Sequence, residues 1–238
     1  MPPHSATKRA WAGPKTVTWG LGASLFRFDL ETGRTEETSL AVERPRARPL
    51  GTVLLRGANV ITMRGGEVVR NADVVIKDNR IVAVGARSQV RVPAGARVMD
   101  VAGDTIIPGL IDVHAHFDIP RGVVDPGTWE FATNLAYGVT SVREPQSMTN
   151  DIFVYSDLVE AGDMPGPRIF STGPGLFAQP NFQSYQDVLQ AVTRYARYYK
   201  TNLLKSYEVG DRQTRQWVIR ACRELHMMPT TEGGADLR

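Results

Sequence analysis

Two periods of hydrophobicity divide the chain. From Pro108 onward, short apolar runs alternate with segments whose apolar residues return every three or four positions, as strands followed by amphipathic helices do. The pattern predicts strands near 110–116, 139–143, 168–172, 203–207 and 227–232, and helices near 128–137, 151–162, 185–200 and 212–226. The third helix is the clearest, because Val188, Leu189, Val192, Tyr195, Ala196 and Tyr199 keep one apolar face. Ser184 stands at its N-cap position with Asp187 three residues on, the pattern of a capping box. Asp211 can cap the fourth helix, whose buried stripe is Val218, Ala221, Cys222 and Leu225. Alternating β/α units imply parallel strands covered by helices, either an open doubly wound sheet or a barrel. Pattern alone does not separate the two.

Before Pro108 the period is two. Thr16–Trp19 and Ser24–Leu30 read as a β-hairpin, with a second turn at Glu31-Thr32-Gly33. Gly20-Leu21-Gly22 lacks the third glycine and the strand–helix setting of a dinucleotide fingerprint and reads as a turn. Pro45-Arg46-Ala47-Arg48-Pro49 has the composition of a linker. Residues 51–108 hold short β runs at 53–55, 59–62, 73–77, 80–85, 98–101 and 104–107, the spacing of a small β-sandwich or roll.

Composition narrows the function without naming it. The 238 residues are 42% hydrophobic and 22% charged, ordinary for a globular chain. A net charge of +3, with arginines scattered among acids, gives no basic face for nucleic acid. Cys222 is the one cysteine, so neither an internal disulfide framework nor a cysteine metal cluster is available. No run approaches the roughly 18–20 apolar residues of a membrane span, and Met1–Pro14 has no apolar core of a signal peptide. The expectation is a cytoplasmic protein that engages neither membrane nor nucleic acid.

The chemistry concentrates in Pro108-Gly109-Leu110-Ile111-Asp112-Val113-His114-Ala115-His116-Phe117-Asp118. Residues i and i+2 of a strand share a face, so His114 and His116 project together from the end of the first parallel strand. Two imidazoles there begin a zinc-type site, although a bare His-x-His supplies only half of a tetrahedral shell. Read without a ligand, the two are ordinary polar residues at a strand end.

The run Ile107–His116 resembles the first-strand signature of the amidohydrolase superfamily, metal-dependent hydrolases built on a (β/α)8 barrel. Residues 51–108 resemble the small β domain that flanks that barrel, and Tyr137–Pro145 resembles its second-strand segment. The branch suggested is the imidazolonepropionase-like and prolidase-like group. Residues 8–30 resemble the last blade of a six-bladed propeller of the tricorn-protease type. The resemblance implies three parts: 1–45, a remnant of a propeller's last blade; 51–108, the small β domain; and 109–238, the first half of the barrel. The fold class expected is therefore α/β, half of a TIM-type barrel behind a small β-sandwich and a propeller-blade hairpin.

The resemblance also implies a divalent metal, zinc foremost, as one or two ions held by His114, His116 and Lys205, the last as a carbamate at the end of the fourth strand. A plain ammonium has no lone pair to give a cation, whereas a carbamate offers two anionic oxygens. As an alternative, Lys205 is a solvent-facing lysine at a strand end. The fifth strand, Met227–Gly234, departs from the family by lacking a histidine, with Glu232 the nearest substitute. His226 reads as a helix C-terminal cap and His4 carries no argument. A whole (β/α)8 barrel takes about 250 residues, so the expectation is a truncated chain whose general base is not identified. Ser171-Thr172-Gly173-Pro174-Gly175 either lines the pocket mouth or is a loop forced by turn geometry. Tyr195, Tyr198, Tyr199 and Trp217 read as packing residues, and Arg212, Arg215 and Arg220 as a solvated helix face.

Three functions compete at this stage. The first is hydrolysis of a C–N bond, amide or cyclic amide, in a small molecule or short peptide by a metal-activated water. The second is an inactive fragment or a split-barrel subunit completed by another polypeptide or a second copy. The third, a sugar- or nucleotide-binding domain, needs a phosphate-binding loop where His-Ala-His stands.

Overall fold

The computed structural model describes residues 7–176, 182–207 and 209–231. Two compact units emerge: Arg46–Leu110 forms one, and Met1–Pro45 joins Ile111–Arg238 in the other.

The N-terminal strands are β1 (Thr7–Trp11), β2 (Thr16–Leu21), β3 (Ser24–Asp29) and β4 (Thr35–Ser39), an antiparallel sheet in that order. The hairpin expected at 16–30 is its centre, and one further strand lies on each side. Gly22 turns the β2–β3 hairpin at φ +55°, a conformation that costs a residue with a Cβ. At the next turn the Asp29 carboxylate accepts the Glu31 and Thr32 backbone N–H groups at 3.0 and 2.7 Å. Those bonds hold its carboxyl below the usual carboxylate range.

Within Arg46–Leu110 the strands are β5 (Thr52–Ile61), β6 (Val68–Lys77), β7 (Arg80–Ala86), β8 (Arg97–Asp100) and β9 (Thr105–Ile106). They make one mixed sheet in the order β7-β6-β5-β8, with β9 also on β5. Among the described residues, the small β-sandwich or roll expected for 51–108 is this one five-stranded sheet. The sequence pattern splits β5 at residues 56–58 because the strand bulges there. Gly57 sits at φ +84°, and its N–H donates to the buried Asp73 carboxylate at 3.1 Å. Ala58, Val60, Ala72 and Val74 form the small core of this sheet.

The remaining elements follow the expected alternation: β10 (Leu110–Asp112), α1 (Trp129–Ala136), β11 (Val139–Glu144), α2 (Ile152–Ala161), β12 (Arg168–Ser171), α3 (Tyr185–Arg194), β13 (Leu203–Ser206), α4 (Arg212–Glu224) and β14 (Met228–Thr231). Strands β10, β11 and β12 are neighbours in one sheet, with β11 and β12 parallel, and β13 and β14 form a second parallel pair. Leu176 links the two sets, bridging to Ser206 in parallel sense. Its N–H donates to the Lys205 carbonyl at 2.8 Å, and its own carbonyl accepts the Tyr207 N–H at 2.9 Å.

Helix α3 carries the expected capping box: Ser184 accepts the Asp187 N–H and Asp187 accepts the Ser184 N–H. It does not run to residue 200 as one α-helix. Tyr195–Tyr199 form a π-helical turn that ends at Lys200 in the left-handed region. The Asp211 side chain caps α4 by accepting the Thr214 N–H, and His226 follows α4 at φ +53°, a C-terminal turn residue as expected.

Two apolar clusters support this unit. One holds Ala115, Phe117, Ile119, Phe131, Val142, Ile152, Tyr155, Met164 and Ile169 beneath β10–β12. The other gathers α3, the π turn, α4 and Leu204, and takes in Leu21 and Phe26 from the N-terminal sheet. Phe26 stacks on Trp19 and meets Tyr198 edge-on with centroids 5.4 Å apart. No helix among the described residues is long and apolar enough to cross a membrane.

Candidate functional site

Strand β10 ends at Asp112, yet the extended pairing continues past it, since the Ala115 N–H donates to the Arg143 carbonyl at 3.0 Å. Alternation therefore persists through residue 119. Ala115, Phe117 and Ile119 point into the core, where Phe117 meets Phe131 edge-on at 4.9 Å. His114 and His116 take the other, exposed side. Their ring centroids are 5.0 Å apart, so the period-two expectation holds: both imidazoles leave the same face. The Asp112 carboxylate accepts the His114 backbone N–H at 2.9 Å and fixes the start of this segment. A shallow concavity beside the pair is lined by Asp112, Trp129, Glu130, Thr133 and Asn134.

The partner that sequence reasoning missed is Glu144, the last residue of β11. Its side chain is 1% exposed, and its Oε1 lies 3.2 Å from His116 Nδ1. The Ser171 hydroxyl, at the end of β12, donates to Oε2 at 2.7 Å. Burial pushes the Glu144 carboxyl above its usual range, against the pull of Ser171, His116 and the Gln146 backbone N–H. One signal was available in the sequence: Glu144 shares strand parity with Val142, which is fully buried.

Lys205 stands further round, at the end of β13. It is 1% exposed, against the alternative of a solvent-facing lysine. Its Nζ sits 5.6 Å from the Tyr207 ring centroid. A Cβ built on Gly175 would lie 3.4 Å from Lys205 Cγ and 3.3 Å from Gln146 Oε1, so these two side chains flank the same glycine. That Gln146 oxygen is buried without a hydrogen-bond partner. Within 171–175, Ser171 holds Glu144 and Gly175 leaves room for Lys205, while the residues that line the concavity beside the imidazoles come from 112–117 and 129–134. Tyr195 secures the loop from behind, its hydroxyl donating to the Pro174 carbonyl at 2.6 Å.

The donor chemistry fits a divalent metal at the imidazole pair, where two rings lie 5.0 Å apart on one face and one of them has a carboxylate behind it. Among the described residues no group of three or more His, Cys, Asp or Glu side chains is placed to hold an ion. The pair is therefore half of a coordination shell. Glu232 and His4 lie outside the described residues. Burial pushes the Cys222 thiol up to about 12, which removes it as a nucleophile at neutral pH. Tyr195, Tyr198, Tyr199 and Trp217 pack in or against the second cluster, as expected. Arg220 is not simply solvated: it lies 4.2 Å over the Tyr185 ring and pairs with Glu224.

No family model matches the chain. It is 28% identical over 116 residues to an adenine deaminase of Paracoccus denitrificans, covering 48% of this chain and 19% of that protein. To an allantoinase of Streptomyces avermitilis it is 36% identical over 86 residues, 36% of this chain and 18% of the other. Among solved structures, a putative prolidase from Bifidobacterium longum shares the fold with a TM-score of 0.64 at 23% identity, over 77% of this chain and 49% of that one. The chain spans about a fifth of the length of those two curated relatives. Those relatives, that fold and the paired histidines just beyond β10 make the chain similar to the amidohydrolase superfamily.

Proposed function

We propose that this chain carries part of the active site of a metal-dependent hydrolase that cleaves a C–N bond, amide or cyclic amide, in a small molecule or short peptide. The observation that carries the proposal is the imidazole pair, on one exposed face, with His116 backed by a buried carboxylate. His114 and His116 would hold a divalent metal, zinc foremost, and Lys205 would join them after carboxylation. When an ion is bound, such a site supplies a Lewis acid that polarises a carbonyl and makes a water more acidic. In the net reaction the oxygen of water bonds to the carbonyl carbon, the C–N bond breaks, and the nitrogen leaves with a proton from that water. The part of the chain itself is to orient the imidazoles and to keep the Lys205 side chain buried beside Gly175.

We read residues 109–238 as strands of a (β/α)8 barrel, 51–108 as the flanking β domain and 1–45 as a propeller-blade remnant. The solved structure named above, at 23% identity, supports the fold alone. A second reading, a subunit completed by another polypeptide, draws on Ile111 and Val113, apolar residues two-thirds exposed beside the histidines. Activity appearing only on adding a polypeptide with the remaining strands would select it.

The test is metal content by plasma emission. His114→Ala combined with His116→Ala abolishes stoichiometric zinc, and bicarbonate raises the metal content of the wild type but not of Lys205→Ala. Unchanged zinc in the double variant removes the proposal, and an equal bicarbonate response removes Lys205 from it.

A further inference from the structure

We infer that Glu144 is a positioning residue that holds the His116 imidazole in the tautomer with its proton on Nδ1, so that Nε2 is left as the donor nitrogen. The metal part of this inference rests on the function proposed above, whereas the tautomer part stands on geometry alone.

A neutral imidazole carries one proton, and the group facing one nitrogen decides which nitrogen keeps it. Glu144 Oε1 faces Nδ1 at 3.2 Å. The other side of the carboxylate is already supplied with a donor: the Ser171 hydroxyl reaches Oε2 at 2.7 Å. A carboxylate that accepts the Ser171 hydroxyl on one oxygen acts as an acceptor on the other as well, so the proton of His116 belongs on Nδ1. Position is as well determined as protonation. Glu144 is locked at the end of β11, opposite Ser171 in the β11–β12 register, and it is enclosed on all sides. The ring it holds is half-exposed, with 52% of its side chain open, so Nε2 has room to meet an ion. An exposed imidazole without such a partner samples both tautomers and several rotamers, and ordering it on binding costs free energy.

The experiment uses the full chain with 15N-labelled histidine. Nitrogen chemical shifts of the metal-free protein report the tautomer, with His116 assigned by its loss in His116→Asn. Affinity for zinc alone is measured by competition with a chromogenic chelator, and circular dichroism monitors the fold. The wild type shows His116 protonated at Nδ1. Glu144→Met, which keeps the volume and removes the acceptor, loses that preference and binds zinc roughly 10–100-fold more weakly, the usual cost of removing such a partner. Glu144→Gln, whose amide oxygen can still accept from Nδ1, restores the tautomer and most of the affinity. Residues that merely fill space would make Met the better replacement and Gln no rescue.

His116 protonated at Nε2 in the wild type overturns the inference whether or not any variant folds. So does a Glu144→Met protein with unchanged tautomer and affinity. A wild type that has the expected tautomer but binds no zinc overturns the proposed function and leaves the Glu144–His116 pair standing.

Discussion

The two apolar clusters of the larger unit are built differently. The cluster beneath β10–β12 draws its buried residues from one continuous stretch, Ala115 to Ile169. The cluster around α3 and α4 recruits Leu21 and Phe26 from a sheet more than 150 residues earlier in the chain. The first cluster presents the imidazoles, and the second buries the strand that carries Lys205. Phe153 touches both, and it stacks on Tyr199 with centroids 5.5 Å apart. The segment with the histidines therefore rests on local packing, and the strand with Lys205 depends on closing a long loop, which is slower to form and easier to lose.

The sharpest way to break the contrast is at Phe131, fully buried between Phe117 and Tyr155. Phe131→Ala should cost about 3–5 kcal/mol and weaken zinc binding as well, because Phe117 belongs to the segment that carries the histidines. Urea denaturation and chelator competition check both effects. Gly22→Ala should act on the other cluster alone. A Cβ there would overlap the Tyr198 carbonyl oxygen, and φ +55° adds about 1–2 kcal/mol of its own. The expected result is faster proteolysis within residues 1–45 with zinc affinity unchanged; a parallel fall in zinc affinity would show the clusters acting as one. The smallest effect concerns α4. The Thr214 backbone N–H and hydroxyl hold the Asp211 carboxyl below its ordinary 3.8. Its contribution is therefore complete above that unfolded value and is lost as pH falls through the lower folded one. Asp211→Asn should keep the cap and flatten the acid limb of the stability profile, read from urea midpoints at about pH 3 and about pH 6.

The order of strands and helices from residue 110 to 231 was legible because each element keeps a clean period and several carry their own caps, Ser184 and Asp211 among them. The π turn was not, because Tyr195 and Tyr199 suit an α-helical stripe equally well and nothing in the pattern marks the wider spacing. The strand order of the sheet in 51–108 was not legible either, since alternation reports two-sidedness of a strand and not what pairs with it or covers it. The imidazole pair could be foreseen from spacing within one strand. Glu144 could not be assigned to His116, because their meeting depends on how β10 and β11 align, and a shift by one residue would turn the carboxylate to the opposite face.

Beyond Asp112 the backbone pairing thins to the Ala115–Arg143 bond, and Glu144 adds a second tie: one carboxylate clasps the chain after β10 to the tips of β11 and β12. The rim of the sheet is thereby fastened by exchangeable functional groups while the floor is fastened by peptide ones. Chemistry at the mouth can drift through substitution of those few groups without disturbing the ladder that supports them.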